Sequence, residues 1–267
     1  MVDDFLDADQ IRAASFIRHV EIHDSLGSTN DRATELARDA EIELPALVVA
    51  RRQTAGRGRG QHTWWSAEGA LTFSVLFDTA AFGIDARNWP QLSLATAVAV
   101  CDALAAELGD ARLGLRIKWP NDVMLDGGKA CGILIESPGG ATSAKGRLVI
   151  GIGINVNNSW HPAPRDAGAN GIALCDITRR THELQQILQN FLSSIHHRMK
   201  QLAANAPALP TAWQQLCWLT EQHIEAHVGN DWIDGICLGI DTDGSLIVEN
   251  VFGTHRVRSG SVRVASS

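Results

Sequence analysis

Between Leu148 and Asn157 the chain reads LVIGIGINVN, and this run constrains the fold more than any other. Successive side chains of a strand point to opposite faces, so Ile150, Ile152, Ile154 and Val156 share one face, and Gly151, Gly153, Asn155 and Asn157 the other. One face is a packing surface. The other is cleared of side chains until an asparagine appears. Glycine weakens a strand interior, so such a run marks close approach by a ligand or another backbone, or a barrel bend.

The surrounding pattern supplies partners for that strand. Leu47 to Ala50, Leu71 to Phe77 and Leu115 to Trp119 read as further strands, and Val123–Leu125 and Lys129–Glu136 flank Asp126-Gly127-Gly128 as a hairpin. Ile11 to Phe16 reads as a short helix and Val20 to Ile22 as a short strand. Ser28 to Ala40 reads as a helix that Ser28 opens with Asp31 in a capping box. Leu92 to Leu108 is apolar almost all round and stops at Gly109, as a central buried helix should. In Glu183 to Leu202 one stripe runs through Leu184, Leu188, Phe191, Ile195, Met199 and Leu202. Asn205 to Pro210 marks the end of that region. From about His223 the pattern changes to short strands with turns at Val228-Gly229-Asn230, Asp241 to Gly244 and Asn250 to Gly253, a small all-β module.

Composition excludes several classes. With 45% hydrophobic and 20% charged residues over 267 positions, the chain can bury a sizeable core and is not disordered. A net charge of -7 argues against a general affinity for nucleic acid, so anion handling must come from a local basic patch. The five cysteines, Cys101, Cys131, Cys175, Cys217 and Cys237, are odd in number and never paired as C-x-x-C, which reads as reduced thiols in a cytosolic protein and not as a disulfide framework or zinc site. The acidic start MVDDFLDADQ is unlike a signal peptide, and no segment reads as a membrane span. The expected location is therefore the cytoplasm.

Local departures from acidity identify the chemistry. Arg51, Arg52, Arg57 and Arg59 fall within nine residues, and Gly56, Gly58 and Gly60 alternate with the last two, a composition suited to a phosphate or carboxylate. Neither a Walker loop nor a dinucleotide fingerprint is present. A flexible solvated loop or an RNA-binding patch has the same composition. Lys118-Trp119-Pro120-Asn121-Asp122, followed by Lys129-Ala130-Cys131-Gly132, gathers two cations with a carboxamide and a carboxylate near one sheet edge. Lysines there could neutralise a triphosphate and Asp122 could hold Mg²⁺, although turn formers and a core tryptophan give the same string.

Taken in order, Ser28-Thr29-Asn30, GRGR at 56 to 59 with Gln53 before it and Trp64 after it, KWPND at 118 to 122, KACGILIE at 129 to 136 and GIGIN at 151 to 155 closely resemble the biotin protein ligases. The resemblance implies an α+β fold: a mixed sheet with packed helices, of the class II synthetase-like biotin and lipoate ligase type, over residues 1–217. A small SH3-like β-barrel would follow over 218–267. It implies a ligase that converts biotin and ATP, with Mg²⁺, to biotinyl-5′-AMP and passes the biotinyl group to a lysine of a biotin carboxyl carrier protein or domain of acetyl-CoA carboxylase or a related carboxylase. Ser28, Thr29, Asn30, Gln53, Gly56, Arg57, Gly58, Arg59, Trp64, Lys129 and Gly132 would hold biotin. Arg57, Arg59, Lys118, Asn121, Asp122, Lys129 and Asn155 would line the nucleotide side, with Asp122 toward the metal and Arg59 and Lys129 as the catalytic cations.

Two departures stand out. His62 replaces an arginine that commonly follows GRGR in the family, and the residue covering adenine is not identifiable beyond Trp160, near a loop through Asn170 that aligns poorly. Only ~20 residues precede the first strand, so the expectation is a monofunctional ligase without a helix-turn-helix and without specific DNA binding. The sequence leaves a homodimer open. A lipoate or octanoate ligase or transferase, with Cys131 as acyl carrier, is the competing enzyme, and an Arg/Gly-loop RNA-binding module the competing non-enzyme.

Overall fold

The structure, a computed structural model, describes residues 5–138, 146–160, 170–229 and 231–265. Parts of three expectations lie outside the described residues: the first four of the acidic start, Asn230 of one turn, and 161–169 of the loop after Trp160.

Seven strands form one mixed sheet: β1 (His19–Leu26), β2 (Ala46–Gln53), β3 (Leu71–Asp78), β4 (Leu115–Lys118), β5 (Asp122–Leu125), β6 (Gly128–Glu136) and β7 (Arg147–Ile154). Their order is β1-β2-β3-β7-β6-β5-β4, with β1 and β2 parallel and every other neighbouring pair antiparallel. The Gly-Ile strand, β7, is central. Its Ile150, Ile152 and Ile154 join the main core beneath α3 (Leu92–Leu108), α5 (Leu184–Ala203) and α6 (Ala208–Leu216). On the opposite face α2 (Thr29–Leu36) packs Ala33 and Leu36 on Val48, Leu76 and Val149.

Local chemistry moved several expected boundaries. The first helix, α1 (Ala8–Ala14), starts early because the Asp7 carboxylate accepts from the Asp9 and Gln10 amides. At α2 the Ser28 hydroxyl accepts from Asp31 N at 3.5 Å, while the Asp31 carboxylate turns to Arg57 and leaves the capping box half formed. The hairpin between β5 and β6 turns on Asp126 (φ 47°) and Gly127 (φ 81°), the pair of positive φ values that matches the twist of its strands.

Two helices were not foreseen. The short α4 (Leu174–Thr178) follows the second undescribed loop. More consequentially, α6 starts where prolines suggested only a terminus: Pro207 and Pro210 sit at its cap and first turn, where a missing N–H costs little. Trp213 is fully buried on it and donates from Nε1 to Asp241 O at 3.0 Å.

Residues 86–112 include the one helix, among the described residues, long and apolar enough to cross a membrane, but 67% of the apolar window is buried within the fold. It is the central core helix α3. The remaining strands, β8 (His223–Val228), β9 (Asp231–Ile240), β10 (Leu246–Asn250), β11 (Gly253–Val257) and β12 (Ser261–Val264), form a five-stranded antiparallel sheet in the order β11-β10-β9-β8-β12. Its Ile224, Cys237, Leu246 and Val248 belong to the same core as Trp119 and Trp213, so this β module is docked on the larger sheet's helices. Trp119 reinforces the docking by donating to Gly244 O at 3.0 Å.

Candidate active site

One rung of paired residues runs across all seven strands: Lys118, Asp122, Gly132, Gly153, Thr72, Ala50 and His23. Paired residues share a face, so Lys118 and Asp122 of KWPND stand on the same side as Gly132 and Gly153. The adjacent rung aligns Leu134, Gly151 and Ser74. This cleared surface is the floor of a cavity of about 590 Å³.

What approaches the glycines is the protein's own side chains. A Cβ on Gly151 would lie 2.0 Å from Asn30 Oδ1, and one on Gly153 2.3 Å from Cε2 of Trp64. Neither a barrel bend nor a foreign backbone is involved. The glycines let Asn30 and the Trp64 indole lie flat against the sheet, and the cavity forms beside them.

The polar end of the cavity is wired tightly. Ser28, Thr29 and Asn30 are each less than 5% exposed although all three are polar. Thr29 donates to Gln53 Oε1 through its amide (2.7 Å) and hydroxyl (3.1 Å), and Ser74 lies 2.8 Å from Thr29 Oγ1 while donating to Asn30 Oδ1 at 2.6 Å. Asn30 Nδ2 donates to Glu136 Oε2 at 2.8 Å. Ser28 is therefore both an N-cap and part of the cavity wall.

The Gly/Arg loop is a closed miniature hairpin. Arg57 bridges Thr63, Gly58 N donates to His62 O at 2.7 Å, Trp64 N donates to Gly56 O at 2.9 Å, and Gly60 (φ 66°) turns the tip. Arg57 anchors it. Its guanidinium holds Glu136 bidentately at 2.8 and 2.6 Å and reaches Asp31 at 2.8 Å, which raises its already high pKa. Burial pushes the Glu136 carboxyl up, but hydrogen bonds from Arg57 and Asn30 outweigh it and hold that carboxyl below its ordinary 4.5. A group depressed in the folded state adds stability above its unfolded pKa and loses it as pH falls through the folded value. Urea titrations should therefore find Glu136→Gln less stable than the parent at pH 7, with the difference shrinking below about pH 4.5; a constant difference down to pH 3 would contradict the anchor.

At the other end, Lys129 Nζ lies 2.8 Å from Asp122 Oδ1 and 5.9 Å from the Trp64 ring centre. The angle leaves Asp122 Oδ1 without a hydrogen bond. Lys118 Nζ lies 5.6 Å over Trp218, and Asn121 Nδ2 donates to Ile133 O at 2.8 Å. Arg59 donates from the loop to Gly260 O of the β module, and His227, Gly229, Ser261 and Val262 complete the cavity rim. A smaller cavity of about 240 Å³ adjoins across Thr63, Trp64, Lys118, Asp122 and Lys129, walled by Trp65, Trp160 and Trp218.

Such an arrangement can receive a neutral polar ring at one end and neutralise anions at the other. Residues 23–155 match the biotin/lipoate A/B protein ligase family. The chain is 31% identical to the biotin–[acetyl-CoA-carboxylase] ligase of Paracoccus denitrificans over 88% of its own length and 96% of that protein's. It is 30% identical to the bifunctional ligase/repressor BirA of Bacillus subtilis over 92% and 74%. The chain belongs to the biotin protein ligase family. Among solved structures, that of Aquifex aeolicus biotin protein ligase in complex with biotin and ATP superposes with a TM-score of 0.79 at 25% identity, covering 93% of this chain and all of that one.

Within this ligase, most residues singled out in the sequence meet at the two adjoining cavities, but with altered duties. Arg57 lines the larger cavity, and its guanidinium holds Glu136 and Asp31. Gly56 is behind the wall, against Trp64 O. Asn155 borders the smaller cavity but is fully buried, donating to Lys129 O at 3.2 Å and accepting from Asn158 at 3.0 Å. It positions the Lys129 backbone. Arg51 leaves the loop cluster altogether, lying over Phe5 and toward Asp24. Cys131 is fully buried, and desolvation pushes its pKa far up, which deprives an acyl-carrier role of its thiolate. Sequence reasoning missed Ser74, Glu136, Asp31, His227 and Gly260. Glu136 carried a signal as the sole acidic residue closing KACGILIE, and Asp31 was marked only as a capping-box residue.

Proposed function

We propose that this ligase activates biotin with ATP as biotinyl-5′-AMP and transfers the biotinyl group to a lysine of a biotin carboxyl carrier protein or domain. The observation that carries this reading is one glycine-floored cavity with amides and hydroxyls at one end and Lys129, Lys118 and Arg59 at the other. Thr29, Asn30 and Gln53 together offer donors and acceptors to a ureido ring, and Trp64 offers an apolar wall to the rest of biotin.

The first step needs no activated side-chain nucleophile, because the carboxylate of biotin attacks the α-phosphorus of ATP while the bond to the β-phosphate breaks and pyrophosphate leaves. The obstacle is repulsion between a carboxylate and a triphosphate. Lys129 and Arg59 offset it at the bridging position, and Lys118 meets the phosphates from β4, two strands away from Lys129. In the second step a neutral lysine amine of the acceptor attacks the acyl carbon, AMP leaves, and the amine's proton passes to solvent. The smaller cavity suits adenine, with Trp160 as one wall.

Asp122 would suit Mg²⁺: it is a partly buried carboxylate at the cation-lined end of the cavity, where the ion would share it with Lys129, and Mg²⁺ commonly takes one or two carboxylates with waters and phosphates. The ion would add phosphate neutralisation. In this reading residues 1–217 carry the catalytic groups and 218–267 complete the cavity rim. Five free thiols support a cytosolic setting.

Incubation with biotin, Mg-ATP and a carrier-domain fragment should add one biotinyl group by intact mass. No gain with biotin but a gain with lipoate would replace this reading by the lipoate one.

A further inference from the structure

Trp160, a wall of the smaller cavity, is seated much as Trp64 is. A Cβ on Gly171 would lie 2.0 Å from Cε2 and 2.2 Å from Cζ2 of Trp160, so a second glycine gives a second indole a flat seat. Trp65 meets the same indole edge-on, with ring centres 5.1 Å apart and planes at 86°. Gly171 bridges Lys129 in parallel register, and its neighbours Asn170 and Ile172 hydrogen-bond the Lys129 backbone. The seat of Trp160 is thereby tied to the lysine that borders both cavities.

Trp160 itself is held by a carboxylate well along the chain. Asp176 lies in the first turn of α4, and its Oδ2 accepts from Ala173 N at 3.0 Å, an ordinary tie at a helix start. The same oxygen also accepts from Trp160 N at 3.0 Å, and Oδ1 accepts from Ser159 Oγ at 2.6 Å. Those two donors stand 16 and 17 positions before Asp176, and a helix cap has no need of them. The base from which Asp176 reaches is fixed: Leu174 N donates to Asn155 O at 3.1 Å and Cys175 N to Val156 O at 2.9 Å, which fastens α4 to the chain leaving β7.

We infer that Asp176 is a positioning residue for the nucleotide, holding Trp160 on Gly171 and so setting the wall against which the base of ATP packs. This rests on the reading of the smaller cavity as the adenine side. Asp176 acts through Trp160 and not by touching a substrate. Without the carboxylate, Trp160 N and Ser159 Oγ lose their acceptor, and the indole leaves its seat for part of the time. A nucleotide must then select the seated fraction, and its apparent affinity falls in proportion. Lys118, Lys129 and Arg59 keep their places, so the effect falls on the KM for ATP and not on kcat or the KM for biotin.

Pyrophosphate release without acceptor, titrated separately with ATP and with biotin, tests this. Asp176→Ala should raise the KM for ATP roughly 10-fold, the result of about one molecule in ten keeping the wall seated, with kcat and the KM for biotin near parental values. Asp176→Asn keeps an oxygen for both amides, and the Ser159 hydroxyl can turn to accept from its Nδ2, so this variant should recover most of the loss. In a Trp160→Ala background Asp176→Ala should add little, because the two residues act as one unit. Should Asp176→Ala not fold, Ser159→Ala decides in the same assay through a smaller rise in the KM for ATP, and an unchanged value there overturns the assignment. A parental KM for ATP in Asp176→Ala, equal rises for ATP and biotin, or full additivity with Trp160→Ala would overturn it while the ligase reading stands. No pyrophosphate release by the parent protein would overturn both.

Discussion

Lys129→Ala should lower adenylate formation by roughly 100- to 1,000-fold, the usual cost of removing one preorganised charge from a transition state. The lysine stands between the two cavities, 2.8 Å from Asp122 and above the Trp64 ring, where the carboxylate and α-phosphate of the proposed substrates would meet. Its backbone is held from three sides: Asn170 O accepts from its amide at 2.6 Å, and its carbonyl accepts from Ile172 N at 3.1 Å and Asn155 Nδ2 at 3.2 Å. Truncating the side chain leaves those contacts intact, so the circular dichroism spectrum should be unchanged. Pyrophosphate release without acceptor isolates the first step. Parent-like release by the variant would remove Lys129 from the chemistry.

Gly153→Ala should act on binding more than on the chemical step. The added methyl would sit 2.3 Å from Cε2 and 2.6 Å from Nε1 of Trp64, so the indole must lift from the sheet into the space proposed for biotin. Overpacking of this kind costs about 1–3 kcal/mol. If the indole pays that cost only when biotin forces it back, biotin affinity falls roughly 5- to 150-fold. Calorimetric titration with biotin measures this directly, and unchanged affinity would show that Trp64 is not a wall of the biotin site. The ATP dependence should move less, because Lys118 and Asp122 lie off that contact, although Lys129 stands over the displaced ring and Trp64 also borders the smaller cavity.

What the sequence conveyed depended on whether a signal was local. The α5 stripe, the α3 stop at Gly109 and the Asp126-Gly127 turn are written in neighbouring residues, and each appears where expected. The alternation of β4, which buries Leu115 and Ile117 and turns Lys118 to the other face, was equally legible. Helix α6 was not, because prolines that end one helix can also open another, and burial of Trp213 decides which. In the site, the motif residues were readable but their partners were not. Nothing near Arg57 announces that Glu136, 79 positions away, will hold its guanidinium, and Ser74 has no pattern to mark it. The glycines of β7 were correctly identified as a cleared face, yet only the fold shows that Asn30 and Trp64 occupy it.

The rung beneath the cavity has a bearing on how the enzyme is made. Its seven residues come from positions as far apart as His23 and Gly153, and consecutive members on β6, β7 and β3 are joined across 21 and 81 positions of chain. Closing such separations is slow relative to forming α3 or α5, whose contacts are local. No partly assembled sheet carries the site, since β3, β6 and β7 must all be in register before Gly132, Gly153 and Thr72 lie side by side. Recovered catalytic activity during refolding would thus report completion of the sheet, arriving after helical signal has returned and leaving no half-active species on the way.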